Sequence, residues 1–323
     1  MAVDQGAVND LWICKDARCA GQCDDKVGLC QYIIAGTDAP AEGGKGDVVY
    51  TENNGTDWTN SVGQPFDSGE HIISIGCFQL DSETTRWIAV RDTDGANPLE
   101  IAYSDDGGAN FTNVDVESAG TRGAVDSGAL FILDPKHIWL AVEEGYIFFS
   151  SDGGITWSNQ EDGTVTAEDY YAIMFVDSKN GYAVAGNGIV VKSTDGGLTW
   201  TTCTTITGTP RLNCLFVFDK DNVMLGDAVG EIWRTWDGGT TWTEIYTSAI
   251  SINDIDFYND FVGMVVKGQF VLRTRNGGED WEVIGGVPAN TELNCVVMCN
   301  ENYGYVGGED ETNAGMILTV GSN

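Results

Sequence analysis

One short motif recurs six times along this chain of 323 residues, and its spacing leaves few folds open. The copies lie at 51–58 (TENNGTDW), 104–111 (SDDGGANF), 150–157 (SSDGGITW), 193–200 (STDGGLTW), 235–242 (TWDGGTTW) and 274–281 (TRNGGEDW). All fit Ser/Thr-x-Asp/Asn-x-Gly-x-x-aromatic, and their first residues are 53, 46, 43, 42 and 39 apart. A period of about 40–50 residues belongs to propeller blades or to helical arrays.

The sequence between boxes decides for strands. Residues 212–245 divide into LNCLFVF, a DKDN turn, VMLGD, a glycine turn, EIWRT, the box and WTEI. Each run is short, rich in β-branched or aromatic residues, and bounded by Gly, Asp or Asn. No 11-residue window sustains an apolar period of 3.6, so helices are expected to be nearly absent. Four short antiparallel strands per repeat make a propeller blade, with the box as the hairpin between the third and fourth strands. Six such third strands precede boxes, and a seventh, GMILT at 315–319, follows strands at 293–298 and 303–307. The expected fold is an all-β, seven-bladed β-propeller occupying 1–323 as one domain, with six or eight blades as alternatives. The last blade stops before a fourth strand, and the unassigned residues 1–6 are expected to supply it.

The boxes resemble the Asp-box, or BNR, repeat. The longer unit starting at Phe175, FVDSKNGYAVAGNGIVVKSTDGGLTW, is similar to that of the photosystem II stability/assembly-factor propellers, a type also found in tailed-virus particles. Sortilin-type and sialidase-type propellers share the box. The resemblance spans the whole chain and implies the fold, but one fold hosts many functions.

Within each box, glycine supplies a φ > 0 conformation that other residues resist. The Asp or Asn accepts hydrogen bonds from nearby backbone N–H groups, and the aromatic covers the core between blades. Asn53, Asp106, Asp152, Asp195, Asp237 and Asn276 therefore read as turn anchors. Trp58, Phe111, Trp157, Trp200, Trp242 and Trp281 read as packing residues. The alternative is a set of Ca²⁺ or sugar sites. The Asn and Phe variants count against it, because a turn tolerates them and a ligand site does not.

Catalytic constellations are missing. Sialidase-type chemistry needs three clustered Arg and usually an Arg-Ile-Pro segment, and none of the eight Arg precedes Ile-Pro. Paired carboxylates of a glycoside hydrolase would arise by chance among 49 acids. His71 and His137, the only histidines, have no Ser or Cys at nucleophile spacing and read as surface residues. The expectation is a non-enzyme.

The nine cysteines divide in two. Cys77, Cys203, Cys214, Cys295 and Cys299 are scattered and read as small buried apolar residues, Cys214 and Cys295 sharing Leu-Asn-Cys at one repeat position. Cys14, Cys19, Cys23 and Cys30 crowd into an insertion, 14–30, within the first blade. Two disulfides, a four-cysteine zinc knuckle and free thiols are all open there, although no C-x₂-C pair favours zinc.

Sixteen Lys and Arg against 49 Asp and Glu give a formal charge of −33. Such a field repels nucleic acid and anionic bilayers. No apolar run is long enough to span a membrane, and the N-terminus lacks a secretory signal pattern. The excess of acids also suggests adaptation to salt. Opposite the boxes, Asp92, Glu143, Asp227 and Glu309 fall at equivalent repeat positions and outline an acidic rim, the candidate binding face.

These features point to a structural or binding propeller without catalytic activity or a required cofactor. The expected setting is the surface of a tailed-virus particle, as a decoration, spike or fibre-associated protein. There it would contact other structural proteins, or a host-surface glycan or protein. A photosystem-type assembly factor is the alternative, and a glycan-active enzyme the third reading.

Overall fold

The computed structural model of the chain describes residues 7–13, 33–37, 47–53, 57–66, 71–81, 83–91, 99–116, 129–162, 165–209, 211–287, 291–309 and 315–321. These residues form seven antiparallel sheets, each with its strands paired in chain order. The first holds β1 (Val8–Ile13), β2 (Ile33–Thr37), β3 (Val48–Thr51) and β4 (Thr59–Asn60). The second holds β5 (Ile72–Gln79), β6 (Thr85–Arg91), β7 (Glu100–Ser104) and β8 (Thr112–Asp115). The third holds β9 (Leu130–Asp134), β10 (His137–Ala141), β11 (Tyr146–Ser150) and β12 (Ser158–Asp162). The fourth holds β13 (Tyr170–Phe175), β14 (Gly181–Ala185), β15 (Val190–Ser193) and β16 (Thr201–Thr202). The fifth holds β17 (Leu212–Val217), β18 (Val223–Asp227), β19 (Glu231–Thr235) and β20 (Thr243–Thr247). The sixth holds β21 (Asp254–Phe257), β22 (Gly263–Lys267), β23 (Phe270–Thr274) and β24 (Glu282–Gly286). The seventh has three described strands, β25 (Glu292–Met298), β26 (Tyr303–Glu309) and β27 (Gly315–Gly321).

This is an all-β, seven-bladed β-propeller, as the repeat predicts. Among the described residues the one helical element is a 3₁₀ turn, Glu143–Gly145. Each box lies between a third and a fourth strand. In the third sheet the strand after the box, Ser158–Asp162, pairs with β11. The 14–30 insertion and residues 1–6 lie outside the described residues.

The chain divides into two compact units. One contains 1–92, 100–115 and 256–323, and the other 93–99 and 116–255. Inside each unit the same physics recurs. Second strands are buried along their whole length, as in β2, β14, β18 and β22. Both faces of such a strand are covered, so its sequence is a continuous apolar run instead of an alternation. The fourth strands β4 and β16 are exposed at every residue. Each core cluster draws on two adjacent sheets. Ile34, Val48, Ile72 and Trp87 join the first and second, and Trp139, Phe175, Val191 and Trp200 the third and fourth.

The first strand of each sheet has a sheet neighbour on one side only, which leaves an edge of unpaired N–H and C=O groups. Side chains from the preceding sheet cap that edge at equivalent positions. Asn9, Asn213 and Asn294 donate from Nδ2 to the carbonyls of Ile72 (3.1 Å), Ile252 (2.8 Å) and Val8 (3.2 Å). The N–H groups are met in the same way. Ile75 donates to Asp10 Oδ2 (2.9 Å), Val217 to Met174 Sδ (3.3 Å) and Met298 to Asp256 Oδ2 (2.6 Å). The Asn294–Val8 bond joins the last sheet to the first.

Candidate functional site

The boxes are closed hydrogen-bond units. Ser150, Ser193 and Thr235 each donate to Oδ1 of the Asp two residues on, at 2.9 Å. The same hydroxyls accept the N–H of Gly154, Gly197 and Gly239 at 2.8–2.9 Å. Asp152, Asp195 and Asp237 then accept both the N–H and the hydroxyl of Thr156, Thr199 and Thr241, at 2.6–2.9 Å. Asp106 does the same with the N–H and amide of Asn110 (2.9 and 2.7 Å).

Where Asn replaces Asp, the partner changes too. Asn53 and Asn276 face Asp57 and Asp280, donating from Nδ2 to the carboxylate at 3.0 Å and accepting the N–H at 2.9 and 3.0 Å. Every box thus pairs one carboxylate with one side-chain donor. Donors lower the carboxyl pKa values: the Asn110 amide at Asp106, and the Thr241 N–H and hydroxyl at Asp237. At Asp152 and Asp195 burial pushes upward, but the bonds from Thr156 and Thr199 outweigh it, and both pKa values end below the usual range.

The glycine of the box is required at Gly197, which has φ +89° and where a Cβ would run into the Gln160 amide and the Trp139 indole. The box aromatics reach the preceding sheet. Trp200 meets Phe175 of its own sheet edge-on at 5.7 Å, and Phe175 in turn stacks on Trp139 at 3.6 Å.

Three of the four acids expected at the rim fall in the described residues, and their settings differ. Asp92 lies outside the described residues. Glu143 opens the 3₁₀ turn, where Glu144 has φ 56° and donates its N–H to Asp169 (3.0 Å). Glu309 ends β26, half-buried and opposite Glu292. Asp227 turns inward and is fully buried. Its carboxylate accepts the N–H groups of Val229, Gly230 and Glu231 (2.8–3.0 Å) and Trp233 Nε1 (3.1 Å), so it anchors a hairpin. Among the described residues, no three His, Cys, Asp or Glu side chains group as metal ligands.

At the same end a different group does come together. The guanidinium of Arg211 lies over the Tyr171 ring at 4.8 Å, and its Nε donates to Asn213 Oδ1 (2.7 Å). Asn213 is fixed in turn by donating to Ser251 Oγ (2.9 Å) and Ile252 O (2.8 Å). Arg211 is exposed, just ahead of β17. An arginine oriented by an aromatic face and a hydrogen bond is pre-organised for a carboxylate or peptide carbonyl. The sequence signal was an Arg directly before a Leu-Asn-Cys first strand.

Cys203, Cys214, Cys295 and Cys299 are free thiols, and burial pushes that of Cys203 up to about 11. Cys77 corrects the expectation: it is disulfide-bonded. The cluster of Cys14, Cys19, Cys23 and Cys30 lies outside the described residues. His137 Nδ1 contacts the Asp134 carboxylate at 2.9 Å, and its ring stacks beside Trp139.

Comparison with known proteins places the fold and then the family. The structure of YCF48 from Cyanidioschyzon merolae superposes with a TM-score of 0.68 at 14% identity, covering 98% of this chain and 96% of that one. A structure of YCF48 bound to D1 peptide gives 0.70 at 12%, covering 100% and 95%. A GH74 xyloglucanase from Xanthomonas campestris gives 0.70 at 13%, covering 98% of this chain but 55% of that one. At these identities the likeness is one of fold. No curated protein matches the sequence. The family model described as Photosynthesis system II assembly factor YCF48 matches residues 68–194 and 110–252, together more than half of the chain. The chain belongs to the YCF48-type family of BNR-repeat propellers.

Proposed function

We propose that this propeller is a non-catalytic docking protein that holds an extended segment of a partner protein at the end opposite the boxes. Arg211 carries the reading: a guanidinium on Tyr171, pinned by Asn213, at the mouth of two first strands. Family membership supports it, as does likeness to a YCF48 structure bound to D1 peptide. These findings favour the assembly-factor alternative over the virion-surface role expected from the sequence. The xyloglucanase shares the fold, and the box carboxylates are engaged in their own turns. No described helix is long and apolar enough to cross a membrane.

A D1-derived peptide of the kind bound by the relative is the probe. Isothermal titration should show binding, and Arg211→Ala should weaken it by about tenfold, roughly 1.4 kcal/mol. A wild-type protein that ignores the peptide, or an Arg211→Ala variant that binds it equally well, defeats the proposal.

A further inference from the structure

We infer that a disulfide from Cys77 staples the 14–30 insertion of the first sheet to the second sheet, and that the insertion is therefore not a zinc knuckle. The chain has nine cysteines. Cys203, Cys214, Cys295 and Cys299 are free, whereas Cys77 is disulfide-bonded. Within the chain, the partners left for Cys77 are Cys14, Cys19, Cys23 and Cys30, all in the insertion.

The described strands bring the two ends of this staple to one place. β1 runs directly into the insertion, because Cys14 follows Ile13 in the chain. Three side chains of β1 bond in order to β5, the strand that carries Cys77. Asn9 Nδ2 donates to Ile72 O (3.1 Å), the Ile75 N–H donates to Asp10 Oδ2 (2.9 Å), and Trp12 Nε1 donates to Cys77 O (3.1 Å). The two strands advance side by side, at sequence offsets of 63 to 65 residues. The rung made by Trp12 and Cys77 is the last of the three before the insertion begins. Cys77 also belongs to the buried cluster that Ile34 and Val48 of the first sheet share with Ile75 and Trp87 of the second.

The bond decides the chemistry of the insertion. A four-cysteine zinc site needs four thiolates, and pairing with Cys77 leaves three. His71 and His137 both lie outside 14–30, so the insertion has no imidazole to complete a set. The bond forms by thiol–disulfide exchange. Two thiols lose two protons and two electrons, and an external disulfide such as oxidised glutathione is reduced to two thiols. Reversal is hindered at Cys77, which is 2% exposed. An attacking thiolate cannot reach its sulfur, and an apolar core disfavours Cys77 as the departing thiolate. The bond is structural for these reasons. It closes a loop of 47 residues if it starts from Cys30 and of 63 from Cys14, and so restricts the unfolded chain. An insertion too polar to build its own core gains most from such a tie.

Tryptic mapping of the full chain, unfolded and alkylated without reduction, tests the inference. Cleavage after Lys15, Arg18, Lys26, Lys45 and Arg86 places Cys77 in peptide 46–86, Cys14 in 1–15, Cys19 and Cys23 in 19–26 and Cys30 in 27–45. Peptide 46–86 should emerge joined to one of the other three and be released by dithiothreitol. The link should persist when the folded protein is held in millimolar dithiothreitol and vanish once urea is added. Thiol titration of the unreduced, unfolded chain should find no more than seven of the nine cysteines. Alkylated Cys77, a link from 46–86 to a peptide carrying Cys203, Cys214, Cys295 or Cys299, or stoichiometric zinc with nine titratable thiols overturns the staple. Loss of the link in folded protein overturns its structural character.

Discussion

Replacing Asp10 by Asn probes the capped inner edge through a carboxyl with an inverted response to pH. The Asp10 carboxylate accepts the Ile75 N–H and the Ser74 hydroxyl (3.0 Å) from the second sheet. Burial nevertheless raises its pKa from 3.8 to about 7, against the lowering pull of those bonds. A carboxyl with a raised folded-state pKa favours the fold while protonated. That stability is fully present below about 4, is lost as pH climbs toward 7, and stays lost above. The interval from 3.8 to about 7 corresponds to at most about 4 kcal/mol. It is an upper bound because the side chain keeps some solvent contact. Asn keeps an acceptor for Ile75 and cannot ionise. In urea titrations followed by tryptophan fluorescence, the stability of Asp10→Asn relative to wild type should therefore rise between about pH 4.5 and 7.5, then level off. The box carboxylates, with lowered pKa values, act at lower pH and cancel in the difference. A difference that is flat over this range would show that Asp10 is ionised in the fold like any surface acid.

Asn276→Asp should set two carboxylates against each other and cost about 1–2 kcal/mol at pH 8; adding Asp280→Thr should restore the loss, and failure of that rescue in denaturant titrations would contradict the donor–acceptor pairing of the boxes. Trp200→Ala should cost about 3–5 kcal/mol as a buried aromatic in an inter-sheet core, and an unchanged thermal melt would remove its packing role. With a net charge of −33, the melting temperature should rise between about 0.05 and 2 M KCl as repulsion is screened; a flat or falling curve would end the salt-adaptation reading.

The periodic part of this molecule was legible in its sequence. Third strands such as EIWRT and YIFFS stand directly before boxes, so blade number and hairpin position could be read by counting. The Asn-for-Asp exchanges at 53 and 276 were visible as tolerated variants. Their compensation by Asp57 and Asp280 is equally visible when donor is matched to acceptor within each box. The edge caps were not legible. Asn9 reaches the carbonyl of Ile72, 63 residues away, and a backbone acceptor leaves no residue type to match. In Leu-Asn-Cys the Cys drew notice, while the Asn carries the bond. Asp227 misled because Gly-Asp-x-x-Gly looks like an exposed turn; its carboxylate folds back on that turn instead of facing solvent. The Arg211–Tyr171 pair joins separate first strands and does not show along either segment alone.

The bond from Asn294 to Val8 also sets a schedule for the nascent chain. Val8 is made 286 residues before the amide that caps its carbonyl. At about 5–20 residues per second, the first sheet would wait roughly 15–60 s on the ribosome with that edge uncapped. The caps on the second, fifth, sixth and seventh sheets join residues only 39–65 apart. The first sheet is therefore the one that a co-translational chaperone would need to shelter, and the one most open to strand exchange between neighbouring chains on a polysome.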